Sequence, residues 1–245
     1  MNYRMVIQYD GSRYRGWQRQ RHSMDTIQGR IENVLSRHFG RGITIDGAGR
    51  TDAGVHALAQ VANVHLEEHI SVETMKQMLN VYLPEDIRIL RVEMAGERFH
   101  SRLNATGKTY EYHLAKEDCY DVFRRKYSWQ MTEKLDVDRM REAAKLFLGK
   151  HDFCGFCSKA SKKKSTVRRI DAVWVEENAT EIILRLQGNG FLYNMVRIIT
   201  GTLVEIGRGE RDIQSIITIL QNGDRRLAGE TAPAQGLFLA EVKYD

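Results

Sequence analysis

Residues 47–57 read GAGRTDAGVHA and stand between two strand-like stretches, ITID at 43–46 and ALAQVANVHL at 57–66. The glycines allow positive φ angles and let the main chain approach a ligand, while Arg50 and Asp52 supply the charges of the turn. The pattern predicts a strand, a glycine-rich turn that holds one carboxylate, and a second strand. An Asp among glycines is more often a solvated turn residue, and a single histidine such as His56 is more often packed and hydrogen-bonded than a ligand or base.

Hydrophobic periodicity extends the pattern on both sides of this turn. The alternation in YRMVIQYD (3–10) predicts a first strand, and residues 25–40 predict a helix with Asp25 as its cap and Gly40 at its end. Four apolar residues share one face of this helix: Ile27, Ile31, Val34 and Leu35. Strands at about 43–48 and 58–66, a second helix closing at Pro84 and a strand over DIRILRVEMA (86–95) complete the order β-α-β-β-α-β.

The second half is predicted to repeat this order. Strands are expected over GKTYEYHLA (107–115), TVRRIDAVWVEE (166–177), TEIILRLQ (180–187) and LFLAEVKYD (237–245), and helices over 136–149, 192–207 and 212–221. We therefore predict an α+β fold of two similar lobes, each a β-α-β-β-α-β unit of ferredoxin-like type, with mixed, mainly antiparallel sheets around a central cleft. The predicted N-terminal lobe spans 1–105 and the C-terminal lobe 106–245.

Composition limits the class of protein. The 245 residues are 42% hydrophobic and 28% charged, which is typical of a globular protein with a substantial core. Lys and Arg number 37 against 32 Asp and Glu, and the net charge of +5 favours a polyanionic partner. The sequence has no run of 18 apolar residues and does not begin like a signal peptide, so we expect a cytoplasmic protein that does not enter a membrane.

Two basic segments are typical of contact with nucleic acid. SRYRGWQRQR (12–21) carries four arginines around two aromatic residues, which combines phosphate-binding charge with stacking surface. KASKKKSTVRR (159–169) adds cations without an acid, and alone it would be described better as a solvated loop. Taken together, the two segments favour binding to an RNA backbone. The predicted substrate-binding residues in them are Arg15, Trp17, Gln18, Lys162, Lys163 and Lys164.

Arg197 is the sole charge between Arg185 and Glu205, in a stretch that is apolar on almost every face of a helix. An unpaired buried guanidinium is prohibitively costly, so Arg197 is expected to face a carboxylate, and Asp52 is our candidate. Such a pair would hold the carboxylate ionised and oriented. The alternative is an arginine that reaches solvent along its aliphatic stem.

The strand GKTYEYHLA places Tyr110 and Tyr112 on one face and Glu111 and His113 on the other. From the residues alone, core or cross-strand packing is the more common role for the two tyrosines. An aromatic face is also what a base flipped out of RNA requires.

Cys119, Cys154 and Cys157 form an odd set that one chain cannot fully pair, which favours reduced thiols. The C-x-x-C at 154–157 invites a zinc or redox function, but the sequence has no second pair of cysteines or histidines to complete four ligands. We therefore expect no metal site and no redox function at these cysteines.

The segment GRTDAGVHA (49–57) resembles the signature of the TruA family of tRNA pseudouridine synthases. Other blocks similar to those of the family stand in family order: YDGSRYRGWQRQ (9–20), FHSRLNATGKTYEYHL (99–114), HDF (151–153), GNGFLYNMVRIITGTLVEIGRG (188–209) and APAQGLFL (232–239). The resemblance runs nearly end to end, with small departures at the two cysteines after HDF and in APAQGL.

This resemblance implies a cofactor-free isomerase that acts as a homodimer and converts uridines at positions 38 to 40, in the anticodon arm of tRNA, to pseudouridine. It implies Asp52 as catalytic nucleophile, Arg197 as the basic residue that accompanies it, and Tyr110 as the residue that stacks on the target base. Arg50 would fill the vacated stack or hold the adjacent phosphate. We group His56 with the substrate-binding residues.

The residues leave the role of the carboxylate open among three possibilities. It attacks C1′ of the sugar, attacks C6 of the ring, or first removes a proton from the sugar. A non-catalytic tRNA-binding or RNA-chaperone protein on the same fold is the alternative function, although the intact RTD sequence argues against it.

Overall fold

The computed structural model describes residues 1–20, 23, 25–158 and 165–245. Within these ranges the strands are β1 Asn2–Tyr9, β2 Asp46–Gly47, β3 His56–His65, β4 Ile87–Ala95, β5 Gly107–Ala115, β6 Trp129–Gln130, β7 Gly149–Asp152, β8 Val167–Glu177, β9 Glu181–Gly188 and β10 Leu237–Lys243. The helices are α1 Ile27–Phe39, α2 Val72–Tyr82, α3 Val137–Lys145, α4 Met195–Gly207 and α5 Ser215–Asn222. The predicted α+β class with mainly antiparallel strands is confirmed. Of the helices in the described ranges, none is long and apolar enough to cross a membrane.

The chain divides into two units, Met1–Thr106 with Phe238–Asp245, and Gly107–Leu237. The predicted boundary between 105 and 106 lies beside the observed one, whereas residues 238–245 group with the first unit. They do so because β10 lies parallel to β3, with Phe238 opposite His56 and Leu239 opposite Ala57. The description of the two parts as similar ferredoxin-like lobes stays a prediction.

The first unit is built on strands in the order β4-β1-β3-β10, with β2 also paired to β3. Strand β1 runs antiparallel to β3 and β4 and turns Tyr3, Met5 and Ile7 fully into the core. The order of the first six elements, β1-α1-β2-β3-α2-β4, is the predicted one. Because Tyr9 pairs with Ala57, the end of β1 lies beside the start of β3, where the glycine-rich turn ends.

Helix α1 begins one residue later than predicted. The cap is Thr26, whose extended backbone lets Oγ1 accept a hydrogen bond from the Gly29 N–H at 3.2 Å. The carboxylate of Asp25, the predicted cap, instead accepts from Arg30 at 2.8 Å. Gly40 ends the helix with a φ of 66°, and the four apolar residues predicted to face the core are buried.

The strand predicted at 43–48 is reduced to the two residues of β2. The preceding backbone takes its hydrogen bonds from α1 side chains instead of a neighbouring strand. Glu32 accepts from the Ile45 N–H at 3.0 Å, and the Ser36 hydroxyl accepts from the Ile43 N–H at 2.9 Å. Sequence alternation marks these residues as extended, but it cannot show which partner satisfies them.

The second unit contains antiparallel strands in the order β5-β9-β8-β7, with β6 parallel to β5. The strands predicted at 166–177 and 180–187 are present as β8 and β9, which pair antiparallel as a hairpin. Helix α4 is buried along nearly its whole length, as its apolar sequence predicts. The elements predicted for this half occur in the predicted order, and the short strands β6 and β7 are additional to them.

Candidate active site

The turn that carries Asp52 is closed by main-chain hydrogen bonds. The Val55 N–H donates to the Asp52 carbonyl at 3.1 Å, and Gly54 takes a φ of 79° between them. The Trp17 N–H, from the loop after β1, donates to the Thr51 carbonyl at 3.0 Å. The backbone at Asp52 is therefore fixed from inside the turn and from the neighbouring loop.

Two buried side chains hold the same turn. The Tyr9 hydroxyl is 2.7 Å from Oγ1 of Thr51, and the Gln60 amide donates to the Gly49 carbonyl at 3.0 Å. Burial raises the pKa of Tyr9, so its hydroxyl stays protonated and remains a hydrogen-bond donor. Strands β1 and β3 thus support Gly49 and Thr51, the residues on each side of Arg50, and Thr51 directly precedes Asp52.

The loop at 10–20 packs so closely on this turn that two of its glycines have no room for a side chain. A β-carbon at Gly11 would lie 2.0 Å from the Val55 carbonyl oxygen. A β-carbon at Gly16, where φ is 89°, would lie 2.6 Å from the Thr51 carbonyl oxygen. Glycine is required at both positions because backbone meets backbone.

Trp17 is buried beneath the turn, with 2% of its surface exposed. A β-carbon at Gly47 would lie 2.5 Å from its Nε1. The sequence-based expectation that Trp17 offers a stacking surface is wrong for this structure, because the ring packs into the core. Tyr14 is also buried, and its hydroxyl donates to Asp86. Neither aromatic residue of the loop faces solvent.

The arginines of the same loop point outwards. Arg13 has 71% of its side chain exposed and lies 3.3 Å from Asp86, and Arg15 is exposed as well. Arg19 is exposed and pairs with Glu32 at 3.2 Å. Gln18 is half-buried, where its amide donates to Gln28 at 2.6 Å; Arg21 lies outside the described residues. The loop therefore presents charge, not aromatic surface.

Arg50 and Asp52 differ in exposure within the turn: the arginine is exposed and the aspartate is half-buried. Asp52 can thus meet a ligand while its backbone stays fixed, and Arg50 can reach a phosphate or a vacated stack.

His56 follows the turn and is 1% exposed. Its Nδ1 lies 3.1 Å from Oδ1 of Asp10 and 3.1 Å from the Gly11 nitrogen, whose N–H donates to it. The ring stacks on Phe238 with centroids 4.7 Å apart. This is the packed, hydrogen-bonded environment that is usual for a single histidine, and contact of His56 with a substrate stays a prediction.

In the second unit, Tyr110 and Tyr112 share the buried face of β5, as the alternation predicts. Tyr112 is fully buried, and its hydroxyl donates to the Pro233 carbonyl at 2.7 Å. Tyr110 retains slight exposure and meets Phe191 edge to face, with centroids 5.1 Å apart. Tyr112 is thus a core residue. Tyr110 lies nearer the surface, beside another aromatic ring.

Arg197 lies in the first turn of α4 and is half-buried, so its side chain is partly accessible to solvent despite its apolar surroundings. Its Nε donates to the Ala232 carbonyl at 2.7 Å, and its Nη1 donates to Oδ1 of Asn194 at 3.0 Å. The pairing of Arg197 with Asp52 stays a prediction.

Two features of this unit were missed at the level of sequence. Asn194 takes the left-handed conformation, with φ 61°. Its position before an apolar helix in FLYNMV was the available signal. The other face of β5 carries an ionic cluster, in which His113 contacts Glu181 at 3.0 Å and Arg185 contacts Glu111 at 2.7 Å. The period of two had already placed Glu111 and His113 together.

The remaining sequence predictions concern the lysine segment and the two cysteines, which lie outside the turn and α4. Lys162, Lys163 and Lys164 lie outside the described residues. Cys154 and Cys157 are free thiols at the start of, and directly after, the short 3-10 helix Cys154–Phe156, and burial raises the pKa of the Cys154 thiol. In the described part of the chain, no group of three or more His, Cys, Asp and Glu side chains is arranged to hold a metal ion.

Comparison with known proteins identifies relatives that match nearly the whole chain. A family model described as tRNA pseudouridine synthase matches residues 5–104 and 143–245. The chain is 50% identical to tRNA pseudouridine synthase A of Bacillus sp. (strain KSM-64) over 243 residues, which are 99% of each chain. It is 39% identical to tRNA pseudouridine synthase A of Wolbachia pipientis wMel over 245 residues, covering 100% of each chain.

Among solved structures, an H/ACA RNP bound to a substrate RNA containing 2′-deoxyuridine gives a TM-score of 0.39 at 12% identity, covering 83% of this chain and 44% of that chain.

The match over most of the chain defines an isomerase that acts on tRNA. The chain belongs to the tRNA pseudouridine synthase family.

Proposed function

We propose that this protein isomerises uridine to pseudouridine in the anticodon arm of tRNA, at positions 38 to 40, with Asp52 as the reacting carboxylate. The observation that carries the proposal is the turn itself. Asp52 is half-buried on a backbone fixed by Trp17, Tyr9 and Gln60, which is how a catalytic group is held in one geometry.

The chemistry sets the requirements of such a site. The bond between N1 of the base and C1′ of the sugar breaks, and a bond between C5 and C1′ forms. N1 gains a proton, C5 loses one, and the composition of the nucleotide is unchanged. No oxidant or group donor is consumed, so a carboxylate, a cation that orients it and a wall that retains the detached uracil are sufficient.

Arg197 and Tyr110 supply the other two parts in this proposal. Pairing with Arg197 keeps Asp52 ionised, and a guanidinium suits this because it binds a carboxylate through two parallel N–H groups. Tyr110, next to Phe191, offers the ring against which a flipped pyrimidine packs. The base must leave the RNA stack because its reacting atoms are otherwise out of reach.

RNA binding is assigned to the exposed arginines. Arg13, Arg15 and Arg19 face solvent beside the turn, which suits contact with phosphates. We assign the same role to Lys162–Lys164 from the sequence, and Arg50 to the position next to the extruded base. A net charge of +5 is small for a protein that binds tRNA, so we infer a homodimer, which doubles the basic surface. We assign the protein to the cytoplasm, as the sequence predicts.

The test is incubation of the purified protein with unmodified tRNA, followed by mapping of pseudouridine at single-nucleotide resolution. Pseudouridine at positions 38 to 40 is expected from the wild type, and none from Asp52→Asn. A wild-type protein that binds tRNA tightly and forms no pseudouridine would support the non-catalytic tRNA-binding alternative instead.

The homodimer has its own test, in which Asp52→Asn chains are mixed with chains neutralised at Arg13, Arg15 and Arg19. Recovery of activity in mixed dimers is expected if one chain binds the RNA that reacts on the other. No recovery after confirmed subunit exchange contradicts binding across the dimer.

A further inference from the structure

The residue before α4 has an unusual backbone. Asn194 has φ 61° and ψ 7°, and among the described residues it is the only non-glycine residue with a positive φ. An asparagine at this position ordinarily has an extended backbone and accepts a hydrogen bond from a helix N–H. Asn194 makes no such capping bond. The left-handed conformation therefore costs free energy that capping does not offset.

The amide of Asn194 instead bridges two side chains. Oδ1 accepts from Nη1 of Arg197 at 3.0 Å, and Nδ2 donates to Oγ of Ser158 at 3.0 Å. The backbone angle ψ, here 7°, sets the direction of the Cα–Cβ bond relative to the helix that follows, and φ, here 61°, sets it relative to the preceding chain. The left-handed conformation thus determines where Oδ1 meets the guanidinium.

A second contact completes the restraint on Arg197. Its Nε donates to the Ala232 carbonyl at 2.7 Å, and the Ala232 N–H donates back to the Arg197 carbonyl at 3.1 Å. A single hydrogen bond at Nε lets the guanidinium tilt about that bond, whereas bonds at both Nε and Nη1 fix its plane. The orientation of the remaining N–H groups, which a carboxylate would take, thus depends on Oδ1 of Asn194.

We propose that Asn194 is a positioning residue, which orients Arg197 for the reaction through its left-handed backbone and its side-chain oxygen. The proposal rests on the function proposed above, in which Arg197 orients Asp52. Non-glycine residues that their surroundings hold in the left-handed conformation cluster at functional sites.

Four variants separate the oxygen from the other features of the residue. Asn194→Gly removes the amide and relieves the strain, and Asn194→Ala removes the amide and keeps the strain. Asn194→Asp retains an acceptor oxygen on a residue that tolerates the left-handed region. Ser158→Ala removes only the second partner and is the matched control.

Turnover on unmodified tRNA is expected to fall about 100-fold in the Gly and Ala variants, because a misplaced catalytic group costs about that much. The KM for tRNA should stay unchanged. Asn194→Asp and Ser158→Ala should keep kcat near that of the wild type. Since the Gly variant relieves strain, it should unfold at a higher denaturant concentration than the Ala variant. An equal loss of turnover in two variants that differ in stability shows that the loss does not come from unfolding.

A readout without turnover is the ¹⁵N NMR signal of the Arg197 guanidinium. Slow rotation about Nε–Cζ is expected in the wild type and in Asn194→Asp, and fast rotation in Asn194→Gly.

Wild-type kcat in Asn194→Gly, an equally deep loss in Asn194→Asp, or fast guanidinium rotation in the wild type would each overturn the inference. A wild-type protein that forms no pseudouridine would contradict the proposed function instead, and the NMR comparison would still decide the role of Asn194.

Discussion

The turn that carries Asp52 and the helix start that carries Arg197 are held in place in different ways. The turn is fixed by main-chain hydrogen bonds and by glycines at which one added carbon would overlap backbone atoms. Arg197 is held by a backbone carbonyl and by one side-chain oxygen on a strained residue. The carboxylate therefore sits on a rigid support, whereas the orientation of the guanidinium depends on single atoms.

The largest effect should come from the carboxylate itself. Asp52→Asn keeps the shape of the side chain and removes its charge, so turnover should fall by on the order of 10⁴-fold or more, as for a nucleophile in other enzymes. Affinity for tRNA should stay almost intact, because phosphate contacts dominate binding. Both are measured on the same preparation, by pseudouridine formation and by titration with labelled tRNA.

Asp46→Asn is the matched control, since Asp46 is a nearby carboxylate with an exposed side chain. It should leave turnover unchanged. Substantial product from pure Asp52→Asn would remove Asp52 as the reacting group and would leave the rigid turn without a catalytic purpose.

The next largest effect tests the rigidity of the turn. Gly11→Ala places a carbon 2.0 Å from the Val55 carbonyl oxygen. Movement of either segment would strain the hydrogen bond from the Gly11 N–H to His56 or the one from the Val55 N–H to the Asp52 carbonyl. We expect the free energy of unfolding to fall by about 3 kcal/mol or more. The measurement is urea denaturation.

Gly42→Ala serves as its control, because an added β-carbon there meets nothing within 4 Å. It should be near neutral. If Gly11→Ala is equally neutral, the turn is adjustable and the contrast with Arg197 does not hold.

The sequence located the turn but not its supports, for a physical reason. Glycines and charges in GAGRTDAGVHA are local signals, because each reports on its own backbone. The hydrogen bond between Tyr9 and Thr51 joins residues 42 apart, and no pattern in either segment shows it. Trp17 illustrates the same limit: a loop has no hydrophobic period, so burial of its aromatic residue could not be read from the sequence.

Prediction was better in the helices and strands, where periodicity applies. The buried faces of α1 and β5 were found correctly, and the burial of α4 followed from its composition. The sequence left open whether Arg197 is buried or reaches solvent, and its place in the first turn of α4 leaves its side chain partly at the surface. The left-handed backbone of Asn194 depends on what its amide bonds to, which only the structure shows.

A smaller effect should separate the two tyrosines of β5. Tyr112→Phe leaves the Pro233 carbonyl without its hydroxyl partner, so the free energy of unfolding should fall by about 1 to 2 kcal/mol. Tyr110→Phe keeps the aromatic face and should bind tRNA normally. Tyr110→Ala removes that face and should no longer hold the flipped base.

Denaturation, tRNA titration and pseudouridine formation on the three variants measure stability, affinity and turnover. If Tyr112→Phe reduced turnover more than Tyr110→Ala, Tyr112 would be the residue that contacts the base, and our choice on this face of β5 would be wrong.

The smallest effect concerns the other face of β5, where the pH dependence of stability should be set by Glu111 and His113. The hydrogen bond from His113, against the effect of burial and with help from Arg185, lowers the pKa of Glu111 to about 2. A carboxyl group whose pKa is lower in the folded state contributes stability above its ordinary pKa of 4.5 and loses that contribution as pH falls towards 2. For His113, burial lowers the pKa, but hydrogen bonds to Glu111 and Glu181 outweigh it and raise the pKa above 6.5.

The contribution of His113 is therefore complete below pH 6.5 and is lost as pH rises through its folded pKa. Together the two groups should give a maximum of stability between pH 4.5 and 6.5, measured as the free energy of unfolding in urea across pH. Glu111→Gln should be less stable than the wild type at pH 6, and the difference should disappear as pH falls towards 2. The control Glu142→Gln, at an exposed position, should leave the pH dependence of stability unchanged. His113→Asn should reduce the loss of stability that the wild type shows as pH rises above 6.5.

Turnover at a fixed pH should change little in either variant, because this cluster stabilises the strand that carries Tyr110 and takes no part in the reaction. A loss of turnover out of proportion to the loss of stability would show that the cluster acts on the site itself.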